Sequence, residues 1–393
     1  MSDISVVIVT GARTPMGGFQ GALATIPAPE LGASAVKAAC ERANLDDDSI
    51  DEVLMGCVLP AGLGQAPARQ AALKAGLSVA TCCTTINKMC GSGMKATLMA
   101  HDQIKAGSSR VAVAGGMESM SLAPYILPKV RQGLRIGHAE MKDHMFFDGL
   151  EDAYNGRLMG SLAQEVADRY QITREDMDNY AIESLHRAQK AIDEGWFEDE
   201  ITPVTVKGRG GEVSVAQDEQ PGNARIEKIP LLKPAFKKDG TITAANASSI
   251  SDGAAALVLM SDQEASARGL SPMARIVAHA SCARHPDEFS FAPNDSIVKV
   301  LEKAGWSLDE VDLFEVNEAF ASVPLLSIKE LGIPRDKINI QGGACALGHP
   351  VGASGARIIL TLMHSLRRLG LKKGVASLCI GGGEATAIAI EML

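Results

Sequence analysis

Apolar positions along this chain fall into two rhythms. Residues 4–9, 51–58, 83–86 and 251–260 are short apolar or β-branched runs bounded by breakers, the pattern of buried strands. Residues 110–114 form another, ending in Gly115-Gly116-Met117-Glu118, and residues 377–380 end in Gly381-Gly382-Gly383-Glu384. Gly11 is read as the breaker that closes the first strand. Residues 31–43 and 94–101 carry small and apolar side chains at helical spacing. Residues 164–195 read as strongly helical, with one polar face.

The later part of the chain repeats the plan of the earlier part. Glu41-Arg42-Ala43 finds Glu302-Lys303-Ala304, and Asp48-Ser49-Ile50-Asp51 finds Asp309-Glu310-Val311-Asp312. The helix after Cys90 finds one after Gly352-Ala353-Ser354-Gly355, and the two glycine-terminated strands match. A nearly constant offset over four elements indicates two copies of one α/β unit. Residues 120–250 break the pattern. They hold little periodicity at 124–148, a basic turn at 207–211, and a basic stretch at 225–238 with Pro230 and Pro234. The expected division is 1–119 plus 251–272 as the first half, 120–250 as an insertion covering its active face, and 273–393 as the second half.

Composition narrows the function. At 393 residues, 46% apolar and 22% charged, the chain is of globular type and long enough for two or three domains. Aromatics at 4% and a formal charge of −9 argue against nucleic acid as a partner. No membrane partner is expected, because no apolar run is long enough to span a bilayer. The N-terminus reads straight into a strand without a targeting pattern, so a cytoplasmic protein is expected. Its eight cysteines are then expected to be reduced, and none has the C-x-x-C spacing of a zinc site, so no metal is expected.

Chemistry points to Cys90, in Asn87-Lys88-Met89-Cys90-Gly91-Ser92-Gly93-Met94-Lys95. A cysteine at a helix N-terminus meets unpaired N–H groups and the positive end of the dipole, which favours the thiolate. His349 is the candidate base: Pro350 holds it on a turn, at the place where the second copy has its counterpart of the Cys90 turn. Cys379, at a strand end before three glycines, is expected to titrate near neutrality and to move protons at carbon. Asn317, at a strand-to-helix junction, is an amide that could hold a water or an oxyanion. Cys40, Cys57, Cys82, Cys83, Cys282 and Cys345 are assigned to packing, and His144 and His186 to structural or exposed positions.

Asn-Lys-x-Cys-Gly-Ser-Gly-Met-Lys (87–95), Asn-Glu-Ala-Phe (317–320), Gly-His-Pro-x-Gly-x-Ser-Gly (348–355) and Cys-x-Gly-Gly-Gly (379–383) occur in this order. With them the chain resembles the thiolases, end to end. The resemblance implies two repeated α/β halves in an α/β/α/β/α layering, with an inserted loop domain that binds coenzyme A. It implies Cys90 as acyl acceptor, His349 as its activator and Cys379 as the base toward the second acetyl-CoA. Asn317, through a water, and His349 would form one oxyanion hole, and the N–H groups of Cys90 and Gly381 the other. The implied reaction is a ping-pong Claisen condensation of two acetyl-CoA, or its reverse. Coenzyme A is then substrate and product, with no separate cofactor. Ser248 matches the family serine near the pantetheine arm, Met159 lines the acyl pocket, and Ala319 and Phe320 belong to the substrate wall. A homo-oligomer, dimer or tetramer, is implied as well.

The chain departs from the family pattern in places. Leu158 stands where acetoacetyl-CoA-type members commonly carry His, which leaves cleavage of longer 3-ketoacyl-CoA as the alternative activity. Gly222 replaces a frequent arginine, with Arg225 as its substitute. From another class, Gly91-x-Gly93-x-x-Ala96 fits a dinucleotide fingerprint and so an NAD(P)-dependent oxidoreductase. Its glycines do not follow a first strand, and no acidic residue ends a second strand about 20 positions on. A non-catalytic scaffold would not need Cys90, His349 and Cys379 together.

Overall fold

The computed structural model describes residues 4–208 and 210–393; the expectations placed on residues 1–3 and on Arg209 lie outside the described residues. The first half contributes β1 (Val6–Arg13), β2 (Glu52–Gly56), β3 (Cys82–Ile86), β4 (Val111–Ser119) and β5 (Ser251–Ser261). The second contributes β6 (Ala274–Ala283), β7 (Leu313–Val316), β8 (Lys373–Ile380) and β9 (Glu384–Met392). They run in the order β7-β8-β9-β6-β1-β5-β4-β2-β3. The halves join where β1 meets β6 antiparallel, at Val7 opposite Arg275 and Ile8 opposite Ala274. Outward from this seam each half repeats the other: β5 matches β9, β4 matches β8, and β2 matches β7. The counterpart of β3 is reduced to a parallel bridge between Phe314 and Ile338.

Helices α1 (Ala28–Arg42), α2 (Pro67–Lys74) and α3 (Ser92–Ala106) serve the first half. The insertion carries α4 (Met159–Arg169) and α5 (Arg174–Asp193). The second half carries α6 (Ala292–Ala304), α7 (Ser322–Leu331) and α8 (Ser354–Leu369). Met94 and Leu98 of α3 and Ile358 and Leu362 of α8 share one apolar core with Leu257 of the first half and Leu378 and Ile388 of the second. α3 and α8 therefore form a middle layer. α1 and α2 cover the outer face of the first half, and α4, α6 and α7 that of the second. This is the five-layer α/β/α/β/α arrangement. β4 is buried at every position because both its faces are covered.

Glycines let the middle layer close. A Cβ on Gly355 would lie 2.3 Å from the Met94 nitrogen, and one on Gly93 2.9 Å from the Gly352 oxygen. The N-termini of α3 and α8 thus touch backbone to backbone, and the turns that precede them, bearing Cys90 and His349, become neighbours.

Several readings are corrected. Gly11 lies inside β1, not at its end; its Cβ would meet Leu257 at 2.7 Å, so the glycine serves close packing. Gly115 and Gly116 lie within β4, where a Cβ on Gly116 would sit 1.9 Å from the Gly352 oxygen. The helix expected over 164–195 starts earlier and breaks in two at Tyr170–Thr173, where Thr173 caps α5 through the Asp176 N–H. Cys82 is exposed on the edge strand β3, not packed.

The insertion is fastened to the first half by a buried ion cluster. The Arg13 guanidinium donates to Glu200 at 2.6 Å and to both oxygens of Asp218 at 2.7 and 2.8 Å. Asp218 also accepts the Met16 N–H at 2.8 Å.

Candidate active site

Cys90 sits on a tight turn between β3 and α3. Met89, just before it, has φ +48°, the left-handed region that a side chain adopts at a cost of about 1 kcal/mol. Ser92 holds the turn: its hydroxyl accepts the Lys88 N–H at 2.9 Å and donates to the Met89 carbonyl at 2.6 Å. Gly91 lets the turn abut β8, since a Cβ there would lie 2.4 Å from Ile380. Lys88 pairs with Glu384, which ties the Cys90 turn to the start of β9 in the second half.

Burial pushes the Cys90 thiol up to about 11, against the pull of the Gly381 and Cys90 N–H groups, with the Glu118 carboxylate adding to the rise. The expectation of a resting thiolate is therefore corrected: desolvation outweighs the helix N-terminus. Cys379 is likewise corrected. It is buried and held well above the usual thiol range, first by desolvation and then by Cys90 nearby.

His349 is fixed by its neighbours. Its N–H donates to the Ser249 carbonyl and the Ser251 hydroxyl, both at 3.2 Å. Nδ1 lies 2.6 Å from the Ser354 hydroxyl, whose single hydrogen goes to the Pro350 carbonyl at 3.0 Å. We assign the proton to Nδ1, with the Ser354 hydroxyl as its acceptor, an arrangement that leaves Nε2 as a lone pair. Nε2 has no partner in the protein. Burial, with the Arg357 charge behind, lowers the imidazole to about 3, so it is neutral at rest. Asn317 Nδ2 stands 3.4 Å from Nδ1.

A cavity of about 470 Å³ is lined by Cys90, His349, Gly381, Ser248, Met159, Ala319 and Phe320. Cys379 lies beneath it, two residues before Gly381 on β8, and Asn317 stands behind His349. Leu158, at the N-cap of α4, also faces the cavity. Arg225 is separate: with Lys228 it lines an adjoining hollow of about 300 Å³ that shares Gln220, Ala247 and Ser249 with the first. That hollow offers cations beside an apolar channel, an arrangement suited to a phosphorylated ligand with a long arm.

Sequence reasoning missed Ser354, Glu118 and Glu318. Glu118 accepts the N–H groups of Val58 at 2.9 Å, Leu59 at 3.1 Å and Gly352 at 2.9 Å. It pins a loop of the first half to the His349 turn of the second. Glu318 accepts from Tyr180 at 3.0 Å, Ser184 at 2.7 Å, Asn339 at 2.9 Å and the Cys345 N–H at 3.0 Å. It frames the Asn317 turn. Their signal was present as charged residues at the ends of apolar strands, a position that calls for buried partners. The aromatic walls Phe146, Phe236 and Phe289 carried no local signal.

Two family models match: the thiolase N-terminal domain over residues 6–263 and the thiolase C-terminal domain over residues 270–392. The chain belongs to the thiolase family. It is 50% identical over 387 residues to an acetyl-CoA acetyltransferase of Pseudomonas aeruginosa, covering 98% of each chain. It is 49% identical over 389 residues to an acetyl-CoA acetyltransferase of Escherichia coli, covering 98% of this chain and 99% of the relative. The crystal structure of the Bacillus anthracis acetyl-CoA acetyltransferase superposes with a TM-score of 0.97 at 43% identity, covering 99% of both chains.

Proposed function

We propose that this thiolase is an acetyl-CoA C-acetyltransferase, joining two acetyl-CoA into acetoacetyl-CoA and CoA, and reversing the reaction. One observation supports it most. Cys90, Gly381 and His349, whose Nε2 has no partner in the protein, line one apolar cavity.

With both thiols and the imidazole neutral at rest, the protons balance as follows. His349 Nε2 takes the Cys90 proton as sulfur attacks the acetyl carbonyl. The oxyanion is held by the N–H groups of Cys90 and Gly381. As the carbonyl re-forms, the carbon–sulfur bond to CoA breaks, and Cys379 protonates the departing sulfur. Acetyl-Cys90, an imidazolium and the Cys379 thiolate remain. Cys379 then removes the α-proton of a second acetyl-CoA. The imidazolium, with Asn317 acting through a water, holds the enolate oxygen. The enolate attacks acetyl-Cys90, and the Cys90 sulfur leaves and recovers its proton from His349. The raised thiols fit this cycle, because each thiolate forms only when a partner takes its proton.

Ser248 would contact the pantetheine arm, and Arg225 and Lys228 the CoA phosphates. No cofactor enters the reaction. Among the described residues no helix is long and apolar enough to cross a membrane. We place the enzyme in the cytoplasm as a homo-oligomer, and take 1–119 with 251–272, 120–250 and 273–393 as its working units. Leu158 in the cavity wall favours a second reading, in which longer 3-ketoacyl-CoA is also cleaved. Thiolysis of acetoacetyl-CoA by Cys90→Ser tests the first reading. A fall of on the order of 10³-fold or more in kcat is expected, and wild-type turnover would refute it. Comparing wild-type rates on acetoacetyl-CoA and on a longer 3-ketoacyl-CoA decides between the readings.

A further inference from the structure

Away from the cavity, the far end of α3 carries a second cluster of chemical groups. His101 Nδ1 lies 3.0 Å from Asp102 Oδ1, and His279 Nε2, on β6, lies 2.9 Å from the same oxygen. The three donor atoms all fall within 4.8 Å of one another. The two imidazoles meet edge to face, with centroids 4.9 Å apart. Their side chains are only 12% and 20% exposed, while Asp102 is 57% exposed. The rings are thus held by packing, and the carboxylate closes the mouth from the solvent side. β6 is held from beneath, since Lys303 donates to the His279 carbonyl at 3.0 Å.

We propose that His101, Asp102 and His279 bind a divalent transition-metal cation of the zinc class, tying the two halves of the molecule together. Two imidazole nitrogens and one carboxylate oxygen form a donor set suited to Zn(II), Co(II) or Ni(II) and ill suited to Mg(II) or Ca(II). Ligands about 2.0–2.1 Å from a tetrahedral ion stand about 3.4 Å apart. Reaching that geometry takes side-chain rotation: Asp102 swings outward, and the two ring nitrogens, which lie within 4.8 Å of each other, settle to the same spacing. Water would complete the four ligands. The competing arrangement is a plain hydrogen-bonded triad, in which the carboxylate accepts from both rings and no ion binds. The ligands come from α3, whose N-terminal turn bears Cys90, and from β6 of the second half. A bound ion therefore clamps α3 onto the second half, and its effect is on stability rather than on the chemistry at Cys90.

The full-length protein is freed of metal with a chelator, its thiols are alkylated with iodoacetamide, and it is titrated with Co(II). The expected result is a visible d–d spectrum saturating at one Co(II) per chain, with a rise in Tm. His279→Gln and Asp102→Asn keep wild-type thiolysis before alkylation, which shows that they fold, and lose Co(II) affinity at least about tenfold. Absence of a spectrum and of a Tm rise in the wild type overturns the proposal. So does a Co(II) titration that both variants leave unchanged.

Discussion

Burial sets the protonation state of the Cys90 site before substrate arrives. The thiol at about 11 and the imidazole at about 3 are the same effect on groups of opposite charge type. Neither group is an ion at rest, and the lone pair on His349 Nε2 is ready without any titration step. Glu118 is the exception that brings charge close. Desolvation lifts its carboxyl to about 7, opposed by the N–H groups of Val58, Leu59 and Gly352. A carboxyl whose native value lies above its ordinary 4.5 makes the folded state bind more protons between the two. Its contribution to stability is full below about 4.5 and is lost as pH rises through about 7. His349 runs the other way, favouring the fold above its ordinary value and opposing it as pH falls toward 3. Glu118→Gln removes only the first dependence. The wild type should therefore gain Tm relative to the variant as pH is lowered from about 8 to about 5. A pH-independent difference between the two would mean that Glu118 does not titrate in that range.

At the scale of elements, the site depends on how closely α3 and α8 approach. Gly355→Ala puts a methyl 2.3 Å from the Met94 backbone nitrogen, where no flexible side chain can yield. The two helices must part. We expect a loss of roughly 1–3 kcal/mol in urea unfolding, with a larger fall in kcat than in substrate affinity as Cys90 and His349 separate. Unchanged unfolding would show that the contact is slack. This contact also marks what could be read in advance. The repeat, the strands and the turns bearing Cys90, His349, Asn317 and Cys379 were legible, because each rests on local period and breakers. Gly11 and Gly115-Gly116 were read as ends of strands because a glycine needed for close approach resembles a glycine that ends an element. The protonation of Cys90 and Cys379 was misjudged for a related reason. A helix N-terminus is visible in a sequence, whereas the depth of burial belongs to the assembled halves. Glu118 acts on the His349 turn from more than two hundred residues away, a separation that no local pattern encodes, whereas Ser354 lies in the same motif as His349 and only its contact with Nδ1 was hidden.

Across the whole molecule, the insertion is held to the first half by a buried charge cluster. Arg13 is fully buried between Glu200 and Asp218, which hold its guanidinium ionised against the cost of burial. Arg13→Ala would leave two buried carboxylates without their neutralising cation, a loss of about 3–5 kcal/mol. Because Asp218 also holds the Met16 N–H, the loss should fall on the docking of the insertion as well as on the core. Protease cleavage within 120–250 should then accelerate before global unfolding begins; cleavage at the wild-type rate would place the fastening elsewhere. The same assembly brings a nucleophile from the first half, a base from the second and a wall from the insertion to one cavity. The claim that rests on it is covalent transfer through Cys90. Intact-protein and peptide mass spectrometry after brief exposure to acetyl-CoA tests this most directly. The account predicts one acetyl group per chain, on the peptide containing Cys90, removed on adding CoA and absent in Cys90→Ser. Full turnover with acetyl found on another residue, or on none, would contradict it.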